Sequence, residues 1–203
     1  MHPFASNLLE TDGAVCQSVE GEWHVPATKP AALLCGSFDP LHRGHRELAS
    51  IATAKFGFEV HFELSLANVD KPNLADDVAS IRARQFVGYA PLWITGAARF
   101  DRKAAIFPGT AFVVGFDTAV RMLDPRYAGS ERQRDVALET LVSAGCRVIV
   151  GGRIDGSGIY RTWHERLDAI PTEFRELFLA IPESDFRVDL SSTQLRSRVE
   201  VVE

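Results

Sequence analysis

A strand, a glycine-bearing turn and a helix start follow one another here without a gap, and this constrains the chain more than any other feature. Ala31-Ala32-Leu33-Leu34-Cys35 is a short apolar run that reads as a buried β-strand. Gly36-Ser37-Phe38-Asp39-Pro40-Leu41-His42-Arg43-Gly44-His45 leaves it and enters Arg46 to Lys55, a stretch of helix-forming composition with apolar residues at Leu48, Ile51 and Ala52. Such a corner binds anions, because the first N–H groups of a helix have no partner within it and the positive end of its dipole faces outward. Gly36 and Gly44 carry no Cβ, so backbone can approach a phosphate closely. Asp39, placed before Pro40, is biased to an extended conformation that sets the direction of the turn. His42 and His45 are three apart and can point to one side once the helix begins. Two imidazoles beside a phosphate cradle point to chemistry on the phosphate as well as binding.

From Ala31 onward strand and helix signals alternate. Phe58 to Leu66 alternates apolar and polar residues, as a strand with one buried face does, with His61, Glu59 and Glu63 on the polar side. Asp76 to Tyr89 is expected to be helical, with Asp76 and Asp77 at its positive end and Val78, Ile81 and Phe86 as its buried stripe. Leu92 to Thr95 and Ala111 to Val114 read as strands. The second opens into Gly115-Phe116-Asp117-Thr118 and a helix to Leu123, stopped at Asp124-Pro125. Arg132 to Ser143 is expected as a helix ended by Gly145. Arg147 to Val150 is a fifth strand, followed by the glycine-rich stretch Gly151 to Gly158. Glu173 to Leu179 reads as helix, and Phe186 to Leu190 as strand or extended chain. No internal repeat or low-complexity segment occurs.

Strands separated by helices imply an α/β fold, a Rossmann-like doubly wound parallel sheet of about five strands with right-handed crossovers. Ligands on such sheets sit beyond the carboxyl ends of the strands at the switch point, where His42, His45, Asp117 and Arg153 would converge. Ser191-Ser192-Thr193 before Gln194-Leu195-Arg196 has cap residues in place for a C-terminal phosphate-binding helix, with Ser192 and Arg196 on one side of it. Residues 1–30 give weak signals and read as an N-terminal arm or the remnant of a preceding domain, with 31–203 as one domain.

Composition narrows the class. A chain of 203 residues with 46% hydrophobic and 24% charged residues suits one sizeable α/β core. A net charge of −5 and a pI near 5.7 argue against a general nucleic-acid or anionic-membrane surface, so phosphate recognition must be local. Cys16, Cys35 and Cys146 are odd in number and include no CxxC, so neither a disulfide framework nor a zinc site is expected. Cys35 and Cys146 border apolar runs and read as small buried hydrophobes. Met1 to Ser6 lacks a basic start and an apolar core, and no apolar run reaches membrane-spanning length, so a cytoplasmic protein is expected.

The string Gly36 to His45 resembles the GxFxPxHxGH signature of the nucleotidyltransferase superfamily, and Ser191 to Arg196 resembles the (I/S)SSTxxR element of the same superfamily. Asn68-Val69-Asp70-Lys71-Pro72, Phe112 to Thr118 and Leu123-Asp124-Pro125-Arg126-Tyr127 are similar to segments of nicotinamide or nicotinate mononucleotide adenylyltransferases. The resemblance implies a catalytic set of His42, His45 and Arg196. It also implies nucleotide contacts at Gly36, Ser37, Phe38, Asp39, Gly44, Lys71, Gly115, Asp117, Arg153, Ser191, Ser192 and Thr193. Asp117 would lie by ribose or metal, and Arg153 and Arg196 would grip phosphate. The family's aromatic for stacking the pyridine has no assignable position, since Trp93 sits inside a strand and Trp163 has no counterpart.

By that resemblance the partners are ATP and a small phosphomonoester such as a pyridine mononucleotide. Mg²⁺ would be carried mainly by the ATP phosphates and need no dedicated protein cage. A phosphomonoester is already ionised near neutral pH, so its attack on the α-phosphorus requires no side-chain base. The same corner serves cytidylyltransferases and phosphopantetheine adenylyltransferase, and a non-catalytic nucleotide-binding module is a third reading. A class I aminoacyl-tRNA synthetase is disfavoured by the short acidic chain. Oligomeric state, ATP against CTP, and amide against acid pyridine substrate stay open at this point.

Overall fold

Leu33 and Leu34 are adjacent in sequence, yet both are buried, one in each of two hydrophobic clusters on opposite faces of a sheet. The same holds for Phe112 and Val113, and for Val148 and Ile149. Strands covered on both faces read as continuous apolar runs, and this pattern is what a parallel sheet between two helical layers requires. The computed structural model describes residues 5–11, 13–69, 72–155 and 157–188. Its elements in order are α1 (Ala5–Thr11), β1 (Ala14–Gln17), β2 (Trp23–His24), β3 (Ala32–Cys35), α2 (Arg43–Phe56), β4 (Val60–Ser65), α3 (Asp76–Arg84), β5 (Leu92–Thr95), α4 (Phe100–Ile106), β6 (Ala111–Gly115), α5 (Phe116–Leu123), α6 (Pro125–Ala128), α7 (Glu131–Ser143), β7 (Arg147–Gly151), β8 (Arg153–Ile154), β9 (Tyr160–Arg161) and β10 (Phe178–Ile181). Two 3₁₀ segments, Trp163–Ala169 and Thr172–Leu177, lie between β9 and β10.

The sheet runs β10-β7-β6-β3-β4-β5-β1-β2. Six strands from β10 to β5 are parallel, and β1 and β2 add an antiparallel edge. From β3 the chain winds outward through β4 and β5, then returns to the other side of β3 for β6, β7 and β10. The reversal between β3 and β6 is the switch point of a doubly wound sheet. Leu48, Ala49 and Ala52 of α2 and Ala79 and Ala83 of α3 fill one face. Ala104 of α4, Ala119 of α5 and Leu138 and Leu141 of α7 fill the other.

The Rossmann-like α/β architecture is as expected, but the sheet has eight strands, not about five. β1 and β2 are short and come from the weakly patterned first thirty residues. β10 was hidden for another reason: Phe178-Leu179-Ala180-Ile181 continues the apolar content of the turn before it, so the helix expected over 173–179 is a 3₁₀ segment ending at Leu177. Phe186 to Val188 carry no regular structure, and 189–190 lie outside the described residues.

The helix expected to reach Tyr89 ends at Arg84, and its buried face is Ala79, Ala83 and then Phe86. Ile81 is 61% exposed. Small residues let α3 lie close to the strands, and side-chain size misled the expected stripe. Glu63, expected on the polar side of β4 with His61, is fully buried because α4 covers that face. His61 is half-buried, its Nδ1 accepting the Trp93 Nε1–H at 3.1 Å. Trp93 itself is a core residue, as its place in a strand suggested. Among the described residues no helix is long and apolar enough to cross a membrane.

Two substitutions on α3 test this packing. Ile81→Ser should leave the melting temperature nearly unchanged, whereas Ala83→Leu should destabilise by about 1–3 kcal/mol through overpacking. Thermal denaturation of both variants checks it, and the reverse order would place α3 the other way round.

Candidate active site

The corner predicted from Gly36 to His45 forms at the carboxyl end of β3, where α2 begins. His42 is the N-cap of α2, with φ −132° and ψ 171°, and Arg43 opens the helix. Its main-chain N–H donates to His45 Nδ1 at 3.3 Å. Ser, Thr, Asp or Asn more often satisfies helix-start donors, and here an imidazole takes one of them from the third helical position. The consequence is a fixed tautomer. With Nδ1 accepting, the neutral His45 ring carries its proton on Nε2 and is a donor there.

The two rings stack, with centroids 3.7 Å apart and planes inclined by 21°. Burial, and secondarily the neighbouring His42, lower the His45 pKa to about 3. Burial also lowers that of His42. Both imidazoles are therefore uncharged at neutral pH, and the His45 ring has its Nε2–H available as a donor. His42 Nδ1 is buried and has no hydrogen-bond partner among the described residues.

The turn before the histidines is held by its own core and by α3. Phe38 is fully buried at a left-handed φ of 48°, its ring edge-on to His45 at 5.1 Å and to Phe62 and Phe86. A side chain in that conformation costs about 1 kcal/mol or more and persists only when its surroundings dictate it. Gln85 supplies part of that constraint, donating from Nε2 to the Phe38 carbonyl at 2.9 Å and accepting the Leu41 N–H at 2.8 Å. Arg82 supplies more, donating to the Ser37 carbonyl and to the Asp39 carboxylate, each at 2.9 Å. A Cβ at Gly36 would stand 2.8 Å from the buried Phe38 ring, too close without a shift, and one at Gly44 would be tight at 3.1 Å from the His42 ring.

The structure thus gathers Gly36, Ser37, Phe38, Asp39, His42, Gly44 and His45 into one corner, with the Phe38 side chain in the core beneath it. Gly115 caps α5 and a Cβ there would meet nothing. Asp117, in the first turn of α5, is bonded to Arg153 at the start of β8, so these two expected residues meet each other. Lys71, Ser191, Ser192, Thr193 and Arg196 lie outside the described residues. Val188, the last described residue, reaches the corner: a Cβ at Gly44 would be 3.2 Å from its Cγ1. Among the described residues no cluster of three or more His, Cys, Asp or Glu is placed to hold a metal ion.

Beside the corner lies a cavity of about 370 Å³. Gly36 and Ser37 form part of its wall, and Arg121 of α5, Arg82 of α3, and Glu63 and Lys103 line it further. Sequence reasoning missed Arg82 and Gln85 as braces and Glu63 and Lys103 as cavity groups. The first pair left a signal, since polar residues three apart share a helix face turned to the turn they hold. The second left none, because its partners are distant in sequence.

Residues 33–86, which span β3, the histidine corner, β4 and α3, match a family described as cytidylyltransferase-like. This segment is thereby similar to nucleotidyltransferases of the His-x-Gly-His type and supports a nucleotidyltransferase-type activity. No curated protein matches the chain.

The His45 geometry has a direct readout. In ¹⁵N-detected spectra of the ligand-free protein His45 should show the Nε2–H tautomer and stay neutral far below pH 6.5. Because its folded pKa lies below the unfolded value, the stability it contributes is full above about 6.5 and is lost as pH falls toward about 3. His45→Gln should lose less stability across that window. Titration near 6.5, or the Nδ1–H tautomer, contradicts the arrangement.

Proposed function

We propose that the protein is a nucleotidyltransferase that joins the AMP moiety of ATP to nicotinamide mononucleotide or nicotinate mononucleotide and releases pyrophosphate. One observation carries the reaction type: a neutral imidazole with its Nε2–H fixed as donor stands at the N-terminus of a 14-residue helix, at the switch point of the sheet. The choice of a pyridine acceptor rests on the likeness of the segments Asn68 to Pro72 and Phe112 to Tyr127.

In the reaction an oxygen of the acceptor phosphate attacks the α-phosphorus of ATP. The new O–P bond forms as the bond from the α-phosphorus to the bridging oxygen breaks, and pyrophosphate departs opposite the nucleophile. No proton needs removal, because the attacking phosphate is ionised near neutral pH. The residues of the chain act by position and charge stabilisation. Unpaired N–H groups at the start of α2 and the Nε2–H of His45 face the charge that develops on the transferred and departing phosphates. A magnesium ion carried by the triphosphate would neutralise part of its charge and would need few ligands from the chain. Arg196 acts on the β,γ-phosphates, a role supported by the position of Val188 against Gly44 eight residues earlier. The Asp117–Arg153 pair then opens to meet ribose and phosphate.

A second reading, cytidylyl transfer, is favoured by the description of the family that matches residues 33–86. Pyrophosphate release with ATP or CTP, Mg²⁺ and a panel of phosphomonoesters separates them. Formation of a dinucleotide from ATP and a pyridine mononucleotide is expected. A clear preference for CTP supports the second reading, and absence of turnover with any pair means a nucleotide-binding module. His45→Ala should lower kcat by about 10²–10³ while ATP binding changes little, as loss of one preorganised donor does. Arg196→Ala should lower turnover or ATP affinity about ten- to hundred-fold without lowering the melting temperature, and Arg196→Lys should restore little. A folded His45→Ala protein with normal turnover removes the assignment.

A further inference from the structure

The charged side chains that line the cavity beside the corner do not balance. Among the described residues Arg82, Arg99, Lys103 and Arg121 stand on its wall against Glu63 and Asp101. Three of the cations are already matched: Lys103 by Glu63 inside the wall, Arg99 by Asp101 at 3.0 Å, and Arg82 by Asp39 of the corner at 2.9 Å. The Cys35 thiol adds no charge, because burial and then Glu63 push its pKa well up. Arg121 of α5 is left over. Among the described residues its guanidinium has no ion pair and no hydrogen bond, and it stands 5.6 Å from the ring centre of Tyr127. Asp117, one turn earlier on the same helix and so a natural partner, is bonded to Arg153 instead.

An arginine does not lose its proton, so this position stays positive at any working pH, in a chain whose net charge is −5. The side chain is exposed, and a ligand in the cavity can reach it. The wall around it is apolar, with Met122, Leu138, Leu141 and the Tyr127 ring. Such surroundings suit a flat ring that bears one anionic substituent. They do not suit a phosphate, most of whose oxygens would face apolar groups. The phosphate end of a ligand has the helix-start donors of the corner, and Gly36 and Ser37 of that corner line the same cavity.

We propose that Arg121 pairs with the carboxylate on the acceptor's pyridine ring, so that the cavity takes the acid form, nicotinate mononucleotide, ahead of the amide. This assignment rests on the proposed reaction with a pyridine mononucleotide and names which of its two forms is used. A guanidinium presents parallel N–H donors that match the two oxygens of a carboxylate. A carboxamide offers that fork one acceptor oxygen, and its NH₂ would face a donor. The ring charge acts in the same direction. A pyridine nitrogen bonded to ribose is a pyridinium, so the acid form brings a base that is neutral overall, with its negative group toward Arg121. The amide form brings a net cation into a cavity that already holds an unmatched one, and like charges repel more strongly where water is partly excluded. Glu63 takes no part in the contact, since its side chain has no exposure and it holds Lys103 within the wall.

The test compares nicotinate mononucleotide with nicotinamide mononucleotide, which differ only at this group. Solvent reaches Arg121 and screens it, so the preference of wild-type kcat/KM for the acid should be about tenfold, the lower end for charge-assisted bonds. Arg121→Gln should raise KM for the acid about tenfold, leave KM for ATP unchanged and bring the two acceptors close together. Arg121→Glu should reverse the preference, because the pyridinium of the amide form then meets a carboxylate. The wild-type comparison needs no variant, and a preference for the amide, or none, overturns the proposal. An unchanged KM for the acid in Arg121→Gln overturns it as well. So does an equal rise of KM for both acceptors, which would put Arg121 on their common phosphate, or a rise of KM for ATP alone, which would put it on the triphosphate. If neither nucleotide yields a dinucleotide, the proposed reaction fails, and Arg121 is then judged on binding alone. A melting shift that is larger with the acid than with the amide in wild type, and lost in Arg121→Gln, supports its role. No shift in wild type, or the same shift in both proteins, refutes it.

Discussion

The first N–H groups of α2 have no acceptors within the helix, and the arrangement around them follows from that shortage. Two are satisfied locally, the His42 N–H by His45 Nδ1 and the His45 N–H by the His42 carbonyl at 3.0 Å, which leaves those of Arg43 and Gly44 without an acceptor inside the helix. The sheet places this helix start beside β3, the strand from which winding proceeds in both directions, so no other strand connection crosses the space above it. Phe38 beneath the His45 ring and Gln85 and Arg82 beside the turn keep the donors aimed outward. A cradle for phosphate has to be rigid before the phosphate arrives, since ordering it during the reaction would add to the barrier.

Rigidity here comes from unlike sources acting on a few atoms. Phe38 occupies a backbone conformation unfavourable for a side chain, and the energy to hold it comes from a fully buried aromatic cluster with Phe62 and Phe86. The main-chain oxygens of Ser37 and Phe38 are fixed by side chains of α3. That helix meets the sheet through Ala79 and Ala83, and the small contact residues bring Arg82 and Gln85 within reach of the turn. Packing on one side of α3 and hydrogen bonding on the other are thus one device. The cavity beyond Ser37 extends the same principle, with Glu63 orienting Lys103 as His42 orients His45.

The sequence by itself determined the α/β class, the five strands from β3 to β7, and the histidine corner. These are local: an apolar run of four or five residues, a glycine, a proline and a helix period are all set by neighbours in the chain. The burial of Cys146 and the core place of Trp93 were readable for the same reason. Only the tertiary structure decided the eight-stranded sheet, because an apolar strand such as Phe178 to Ile181 cannot be told from a helix end by composition. It also decided which side of α3 is buried, where the size of Ile81 pointed one way and the close approach allowed by Ala79 and Ala83 prevailed. Glu63 shows the limit most clearly. Its alternation within β4 marks it as polar and exposed, and only Lys103, forty residues away on another element, makes its burial affordable. A charge can be buried when its partner is, and that partnership is a fact of three dimensions that no local pattern carries.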